Sequence, residues 1–189
     1  GHPALQFIPM GGDDGSFITA QQIAAGKDFS VFTVTQSTTQ RFNDHGWLAS
    51  SREADGFILH ASRSTNAFYA HVRDADNSTA NGWTTTMGEI TKPHLYGMIY
   101  DENSLGGNIH TIADKQDNER IVTNLERAAT DSIDIQFGKD RDDRPGAGKM
   151  AETFMYNTDL NNAQLRIVSN YVAAQYGIDL QEESLYSHG

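Results

Sequence analysis

Short apolar segments of about 4–9 residues, rich in β-branched and aromatic types, recur along most of this chain. Clusters of glycine, aspartate and asparagine separate them, and these are the residue types that turns favour. Many short strands without intervening helices are typical of a two-sheet sandwich or barrel, not of alternating strands and helices. The predicted strands are residues 4–8, 16–19, 29–36, 46–50, 56–61, 67–73, 83–87, 94–100, 108–112, 120–124, 132–138 and 149–156.

Two of these segments indicate what their faces contact. In residues 132–138, Ile133 and Ile135 alternate with Asp134 and Gln136, which predicts a strand with one face in the core and one in water. Residues 29–34 are largely apolar at successive positions, which predicts a central strand covered on both faces.

One helix is predicted near the end of the sequence, at residues 162–176, where apolar residues recur at helical spacing. Asn161 and Gln164 fit a capping box at its start. Gly177 fits the left-handed residue that ends a helix, and Ile178 follows as the usual apolar contact. We expect this helix to lie against one edge or end of the sandwich.

The net charge and the absence of cysteine limit the partners and the chemistry that this chain can have. The 189 residues carry a formal net charge of −11 and no cysteine. An acidic chain repels phosphate backbones and anionic membrane surfaces, so neither nucleic-acid binding nor membrane insertion is expected. Thiol chemistry, cysteine-ligated zinc and disulfides are excluded. No repeat or linker divides the sequence, which predicts a single domain over residues 1–189.

The C-terminal segments carry a family resemblance. Residues 148–157, GKMAETFMYN, and residues 170–178, NYVAAQYGI, resemble the strand and helix that close bacterial laminin-G-like domains. The opening strands and residues 135–138 fit the same pattern. The resemblance to this laminin-G-like, concanavalin A-like class implies an all-β, two-sheet antiparallel jelly-roll sandwich with one C-terminal helix. The class includes sugar-binding and adhesion modules, glucanases and structural appendages, so function has to be argued from sites.

Catalytic carboxylates are the first kind of site to consider. A retaining glycosidase needs two carboxyl groups about 5 Å apart, and the resemblance implies that glucanases of this class place them on one strand as Glu-x-Asp-x-x-Glu. Here residues 132–138 carry only Asp134, and residues 149–156 carry only Glu152. We therefore expect no enzymatic activity, and we interpret Glu152 as a structural anchor bonded to backbone or to an arginine.

Sugar recognition is the second kind of site, because a pyranose stacks on an exposed aromatic plane beside polar side chains. Both tryptophans lie next to polar, glycine-containing segments, and other suitable side chains lie in or beside strands that form a concave face. Packing in the core or at the rim is the alternative for each aromatic residue. The predicted ligand-binding residues are Trp47, His60, His71, Arg73, Trp83 and Tyr96.

Calcium is the one cofactor that the sequence suggests, because it binds clustered oxygen ligands on loops. The tightest cluster is Asp74, Asp76 and Asn77, although these are also ordinary turn residues, and a solvated turn is the alternative. The seven histidines show no His-x-His or His-Glu-x-x-His spacing, so no zinc site is expected.

Two functions of different classes remain. The first is a non-catalytic recognition or adhesion module that binds carbohydrate or protein through rim loops. The alternative is a structural or decoration subunit of a virion or an extracellular filament, whose partners are copies of itself. A glycan-active enzyme is third. Both leading functions place the protein outside the cell, on a cell surface or in a virion.

Overall fold

The computed structural model describes residues 4–7, 18–38, 46–51, 54–61, 67–76, 78–87, 89–102, 107–114, 116–122, 125, 130–138 and 148–179. These ranges hold β-strands and one helix, α1 (Asn162–Tyr176). The strands are β1 (Leu5–Phe7), β2 (Ile18–Ala25), β3 (Phe29–Ser37), β4 (Gly46–Ser51), β5 (Phe57–Ala61), β6 (Ala67–Arg73), β7 (Thr79–Thr86), β8 (His94–Asp101), β9 (Gly107–Ala113), β10 (Gln116–Val122), β11 (Thr130–Phe137) and β12 (Gly148–Tyr156).

The strands form two antiparallel sheets. Sheet I has the order β1-β12-β3-β8-β9-β10, and sheet II has the order β2-β11-β4-β5-β6-β7. Five of the ten strand pairs that the structure describes join strands distant in sequence, as where β12 pairs with β3 and β11 pairs with both β2 and β4. The predicted all-β, two-sheet jelly-roll sandwich with one C-terminal helix is confirmed.

The core lies between the sheets, and strands such as β5, β6 and β8 contribute alternate residues to it. Phe29 of β3 contacts Phe57 of β5 and Tyr100 of β8, with ring centroids 5.6 and 5.9 Å apart. Ile133 and Ile135 are also buried in this core, so the predicted alternation of β11 is confirmed. Burying a large apolar side chain contributes about 1.5–3 kcal/mol.

The helix has the predicted bounds and caps. The Asn161 side chain accepts hydrogen bonds from the backbone amides of Ala163 and Gln164, and the Gln164 side chain bonds back to the Asn161 amide. Gly177 ends the helix with a left-handed φ of 66°. Among the described residues, no helix is long and apolar enough to span a membrane.

The predicted position of the helix, at an edge or end of the sandwich, is wrong. It packs on the outer face of sheet I, where Phe32 and Val34 of β3 and Leu95 of β8 form a second cluster with Val172. These outward residues are apolar, so an element has to cover them. β3 is therefore buried on both faces, as its sequence predicts.

Strand bounds differ most at the sheet edges. β2 runs from Ile18 to Ala25 instead of over 16–19, β7 begins at Thr79 instead of 83, and β10 covers Gln116–Val122 instead of 120–124. All three are edge strands. Edge strands commonly carry polar and charged residues, as β10 does with Asp117, Glu119 and Arg120 on exposed positions, and such a composition resembles that of turns.

Candidate functional site

Side chains on three neighbouring strands of sheet II form an aromatic row on the face that points away from the core. The row consists of His60 on β5, Tyr69 and His71 on β6, and Trp83 on β7. Backbone pairing places His60 opposite Tyr69 and Tyr69 opposite Trp83. The residues between them in sequence, such as Ala70, point into the core, because successive side chains of a strand alternate between its faces.

The rings of the aromatic row contact one another closely. The centroid of the His60 ring lies 5.2 Å from that of Tyr69 and 4.8 Å from that of His71, with interplanar angles of 8° and 16°. Tyr69 and Trp83 are 6.5 Å apart and tilted by 35°. The three inner members are therefore half-buried, whereas Trp83, at the end of the row, is 49% exposed.

A hydrogen bond joins the two histidines of the row. The Nε2 atoms of His60 and His71 are 2.7 Å apart, so one nitrogen carries the proton and the other accepts it. Nδ1 of His60 lies 3.4 Å from the carbonyl oxygen of Ala61. Since a carbonyl only accepts, we assign the proton of His60 to Nδ1, and in this tautomer the Nε2 lone pair of His60 faces His71.

Arg120 of β10 connects the edge of sheet I to the end of this row. Its Nη1 atom donates to the backbone oxygen and to Oδ1 of Asn81, at 2.7 and 2.9 Å. Its guanidinium carbon lies 4.8 Å from the centroid of the Trp83 ring, a cation–π contact. Gly82 permits the close approach of β7 to β9, because a Cβ atom there would collide with the hydroxyl of Thr111 on β9.

An open cleft of about 530 Å³ lies between β7 and β10, and it is lined by Trp83, Thr84, Asn118, Glu119 and Arg120. It combines one exposed aromatic surface with an amide, a carboxylate and a guanidinium group. This is the composition of a small-molecule site, in which an apolar surface holds the ligand and a few polar groups orient it.

A titratable histidine lies beside the cleft on the outer face of sheet I. Nδ1 of His110 is 3.1 Å from Asp117, and its Nε2 is 4.0 Å from Glu119. The hydrogen bond to Asp117 is the largest effect on the pKa of His110 and raises it, and the charges of Asp117 and Glu119 act in the same direction against the effect of burial. The carboxylates of β10 therefore favour a cationic His110.

The structure brings only some of the predicted ligand-binding residues together. His60, His71 and Trp83 lie together in the aromatic row, and Arg73 lies half-buried on the same strand as His71. Trp47 pairs with His60 along the backbone of β4, and its side chain lies outside the described residues. These residues lie on an open sheet face and its edge, not only at rim loops.

Tyr96 is the exception, and its prediction as a ligand-binding residue is corrected. It is 1% exposed and packs in the core against Phe68, with ring centroids 5.0 Å apart. Burial raises the pKa of its phenol. A side chain enclosed between the sheets does not reach a ligand at the surface.

The predicted calcium ligands belong to the turn between β6 and β7. Oδ1 of Asp74 accepts from the backbone amide of Ser78 at 2.8 Å, and Asp74 is buried while Asp76 is exposed. Asn77 lies outside the described residues. The bonded oxygen of Asp74 thus has a role within the turn, and calcium binding stays a prediction.

Glu152 is a structural anchor, as predicted, although its partners are not those expected. Its carboxylate accepts hydrogen bonds from the phenols of Tyr171, at 3.2 Å, and Tyr176, at 2.9 Å. Both tyrosines belong to α1, so Glu152 ties the helix to β12. Asp134, the other carboxylate considered for catalysis, lies in the opposite sheet, on β11.

Sequence reasoning did not find Tyr69, Asn81 and Arg120. The alternation of β6 was sufficient to place Tyr69 on the same face as His71. The other two residues meet only because the edges of the two sheets come together at β7 and β10, a contact that no local pattern indicates.

No protein-family model matches the sequence, and no curated protein matches it significantly. Solved structures do match. A carbohydrate-binding module (CBM40) of the Ruminococcus gnavus IT-sialidase, bound to α2,3 sialyllactose, has a TM-score of 0.59 at 9% identity, over 88% of this chain and 97% of that one. A SAP-like pentraxin from Limulus polyphemus has a TM-score of 0.56 at 9% identity, over 80% and 75%.

The binding domain of botulinum neurotoxin DC, in complex with rat synaptotagmin II, has a TM-score of 0.65 at 12% identity, over 90% of this chain and 45% of that one. At such low identities the likeness shows the fold alone, a jelly roll. Membership of the laminin-G-like family stays a prediction.

Proposed function

We propose that this chain is a non-catalytic recognition module that binds a saccharide in the cleft between β7 and β10. The observation that carries the proposal is Trp83, which is half-exposed and held in place by Tyr69 and Arg120 inside a cleft otherwise lined by hydrogen-bonding groups. A site of this kind serves a cell-surface or extracellular protein, which is the localisation that we propose.

Each lining residue has a role in this proposal. The apolar face of a pyranose packs on the exposed part of the Trp83 indole. The guanidinium group of Arg120 lies over the same ring, 4.8 Å from its centroid. Glu119 accepts hydrogen bonds from sugar hydroxyls, and Asn118 both donates and accepts. Arg120 is already bonded to Asn81, so it loses little conformational entropy when a ligand binds.

The solved structures of similar fold support recognition as the activity. One of them is bound to a sialylated sugar and another to a protein. Neither ligand is assigned to this chain by fold alone. The experiment therefore has to cover neutral and acidic glycans alike.

A glycan array with matched variants tests the proposal. We expect the unmutated protein to bind a subset of glycans and Trp83→Ala to weaken that binding at least ~10-fold, because it removes the aromatic surface. Ile121→Ala is the control, since Ile121 is 71% exposed on the same strand as Arg120 and does not line the cleft. Failure of the unmutated protein to bind any glycan, or unchanged binding by Trp83→Ala, would contradict the proposal.

Self-association, the alternative predicted from the sequence, is tested on the same samples by size-exclusion chromatography. A monomer that binds glycan supports the recognition module. Assembly that increases with protein concentration, without any glycan binding, supports the structural subunit instead.

A further inference from the structure

We propose that His60 and His71 form a site for a divalent transition-metal ion, with Cu²⁺ as the tightest-binding ion. Both imidazoles bind through Nε2, and water or a ligand oxygen fills the other coordination positions. The proposal is independent of saccharide binding, because neither histidine lines the cleft.

The separation of the two nitrogens selects the geometry. At a metal–nitrogen distance of about 2.0–2.1 Å, two nitrogens in neighbouring square-planar positions are about 2.9 Å apart, and two in tetrahedral positions are about 3.3 Å apart. The Nε2 atoms of His60 and His71 are 2.7 Å apart. That value is closer to the square-planar one, and tetragonal nitrogen sites are typical of Cu²⁺ and Ni²⁺.

The rings are held in place before a metal arrives. The His60 ring contacts the rings of both Tyr69 and His71, at centroid distances of 5.2 and 4.8 Å. The Nδ1 atom of His60 faces the carbonyl oxygen of Ala61 at 3.4 Å. A metal-binding histidine commonly donates its second N–H to such an oxygen, which fixes the ring and makes its other nitrogen a better ligand.

Binding requires one change of protonation state. In the hydrogen-bonded pair, His71 carries the proton on Nε2, and this proton moves to Nδ1 of the same ring through solvent when the metal binds. Both imidazoles then bind as neutral ligands and no proton is lost. Acid protonates both rings and removes the lone pairs that the metal needs.

The surroundings of His60 and His71 leave the other coordination positions of the metal to water or a ligand oxygen. In the ranges that the structure describes, no three or more histidine, aspartate or glutamate side chains converge as a metal site. The protein therefore supplies two ligands, and both histidines are partly exposed, so water reaches the metal. The net charge of −11 favours cations over anions near the surface.

Titration of the 189-residue chain with Cu²⁺ tests the proposal, with isothermal calorimetry for affinity and electron paramagnetic resonance for the ligand atoms. All samples carry His2→Gln, which removes one histidine outside the described residues as a competing copper ligand. His60→Gln and His71→Gln are the test variants. His110→Gln is the matched control, because His110 is another partly exposed strand histidine, with Asp117 as its partner.

We expect one equivalent of Cu²⁺ whose spectrum shows two imidazole nitrogens. Each test variant weakens this binding by more than the ~10–100-fold that loss of an outer partner causes, and His110→Gln leaves it unchanged. Retention of affinity by either test variant overturns the proposal, as does a spectrum of the His2→Gln protein with fewer than two imidazole nitrogens. The spectrum decides the question even where a variant fails to fold.

Discussion

The two sheets differ in how the side chains on their outer faces are shielded from water. On sheet I, the outward side chains include Phe32, Val34 and Leu95, which are aliphatic or aromatic without polar atoms, and α1 covers them. On sheet II, the outward rings contact one another and keep polar atoms at their edges, as the hydrogen-bonded His60 and His71 show. Among the described residues, no helix lies on that face. The chemistry of the outward residues decides which face is sealed and which remains available to a ligand.

The residues that fix each face differ in the same way. Glu152 on sheet I binds two tyrosines of α1, which closes the contact between helix and sheet. Arg120 binds Asn81 and lies against Trp83, which fixes one wall of a cleft without filling it. We therefore expect substitutions on the first face to change stability and those on the second to change binding.

The largest effect is expected for Phe32→Ala. Phe32 is fully buried beneath the helix, and truncation of a buried phenylalanine destabilises a protein by about 3–5 kcal/mol. Urea unfolding of this variant and of Tyr69→Ala, on the opposite outer face, measures the contrast. Equal losses for the two variants would remove the distinction between a sealed and an open face.

The second-largest change in stability is expected if calcium binds the turn between β6 and β7, at the edge of sheet II. An ion bound only to the folded state stabilises it by ~2.7 kcal/mol at 100 times its dissociation constant. If the turn binds calcium, the double variant with Asp74→Ala and Asp76→Ala lacks the rise in Tm that calcium produces in the unmutated protein. A Tm of the unmutated protein that responds neither to calcium nor to a chelator would show that the turn is only solvated.

Glu152→Gln is expected to destabilise the protein by about 1–2 kcal/mol, because it replaces a charged acceptor of two phenolic hydrogen bonds by a neutral one. Ile167→Ala, at a position of the same helix that is 64% exposed, is a control expected to lie within ~0.5 kcal/mol. A loss no larger than that of the control would show that the anchor contributes nothing.

The same contact has a pH dependence. Burial, followed by the hydrogen bond and the charge of Glu152, raises the pKa of Tyr176 from 10.0 to about 12. The folded state therefore holds this proton more tightly than the unfolded state, so its contribution is complete below pH 10 and is lost as the pH rises through about 12. Urea unfolding at a series of alkaline pH values should show this loss, and Glu152→Gln should reduce it.

Gly177→Val is expected to destabilise the protein by ~1 kcal/mol, because a β-branched residue resists the left-handed backbone that ends α1. An added Cβ atom meets nothing within 4 Å, so the effect is one of conformation alone. Gly177→Asn is the matched control and should lose less, since asparagine tolerates this conformation. An unchanged Tm of the valine variant would contradict the assigned C-cap.

The helix and the central strands could be predicted because their signals are local. Asn161, Gln164 and Gly177 determine the ends of α1 from within a few residues, and the alternation around Ile133 and Ile135 fixes which face of β11 is buried. The edge strands were placed less well, because their exposed polar residues resemble turns.

The site could be predicted only in part, because it depends on distant contacts. His60, His71 and Trp83 were found by residue type. Neither the depth of Tyr96 nor the contact between Arg120 and Trp83 follows from a local pattern, because both depend on how the two sheets pack. The covering helix was predicted as an element, but its place on sheet I depends on outward residues of β3 and β8.

The smallest effect on stability is expected for Trp83→Ala and Arg120→Ala. Trp83 is 49% exposed, and an exposed cation–π pair contributes only about 0.5–1 kcal/mol. Each single variant should therefore lose about 1 kcal/mol or less, and the double variant should lose less than the two losses added, because each removes the same contact. Urea unfolding of all four proteins measures this coupling.

That small loss has to coincide with a large loss of binding if the face of sheet II serves recognition. A glycan bound by the unmutated protein should bind at least ~10-fold more weakly to Trp83→Ala at a temperature where both proteins are fully folded. Phe32→Ala supplies the reverse case, since it lowers stability but leaves the cleft residues in place, and at low temperature its folded fraction should bind normally. If Trp83→Ala instead unfolded as readily as Phe32→Ala, Trp83 would be a packing residue. That result would contradict the assignment of the cleft as a binding site.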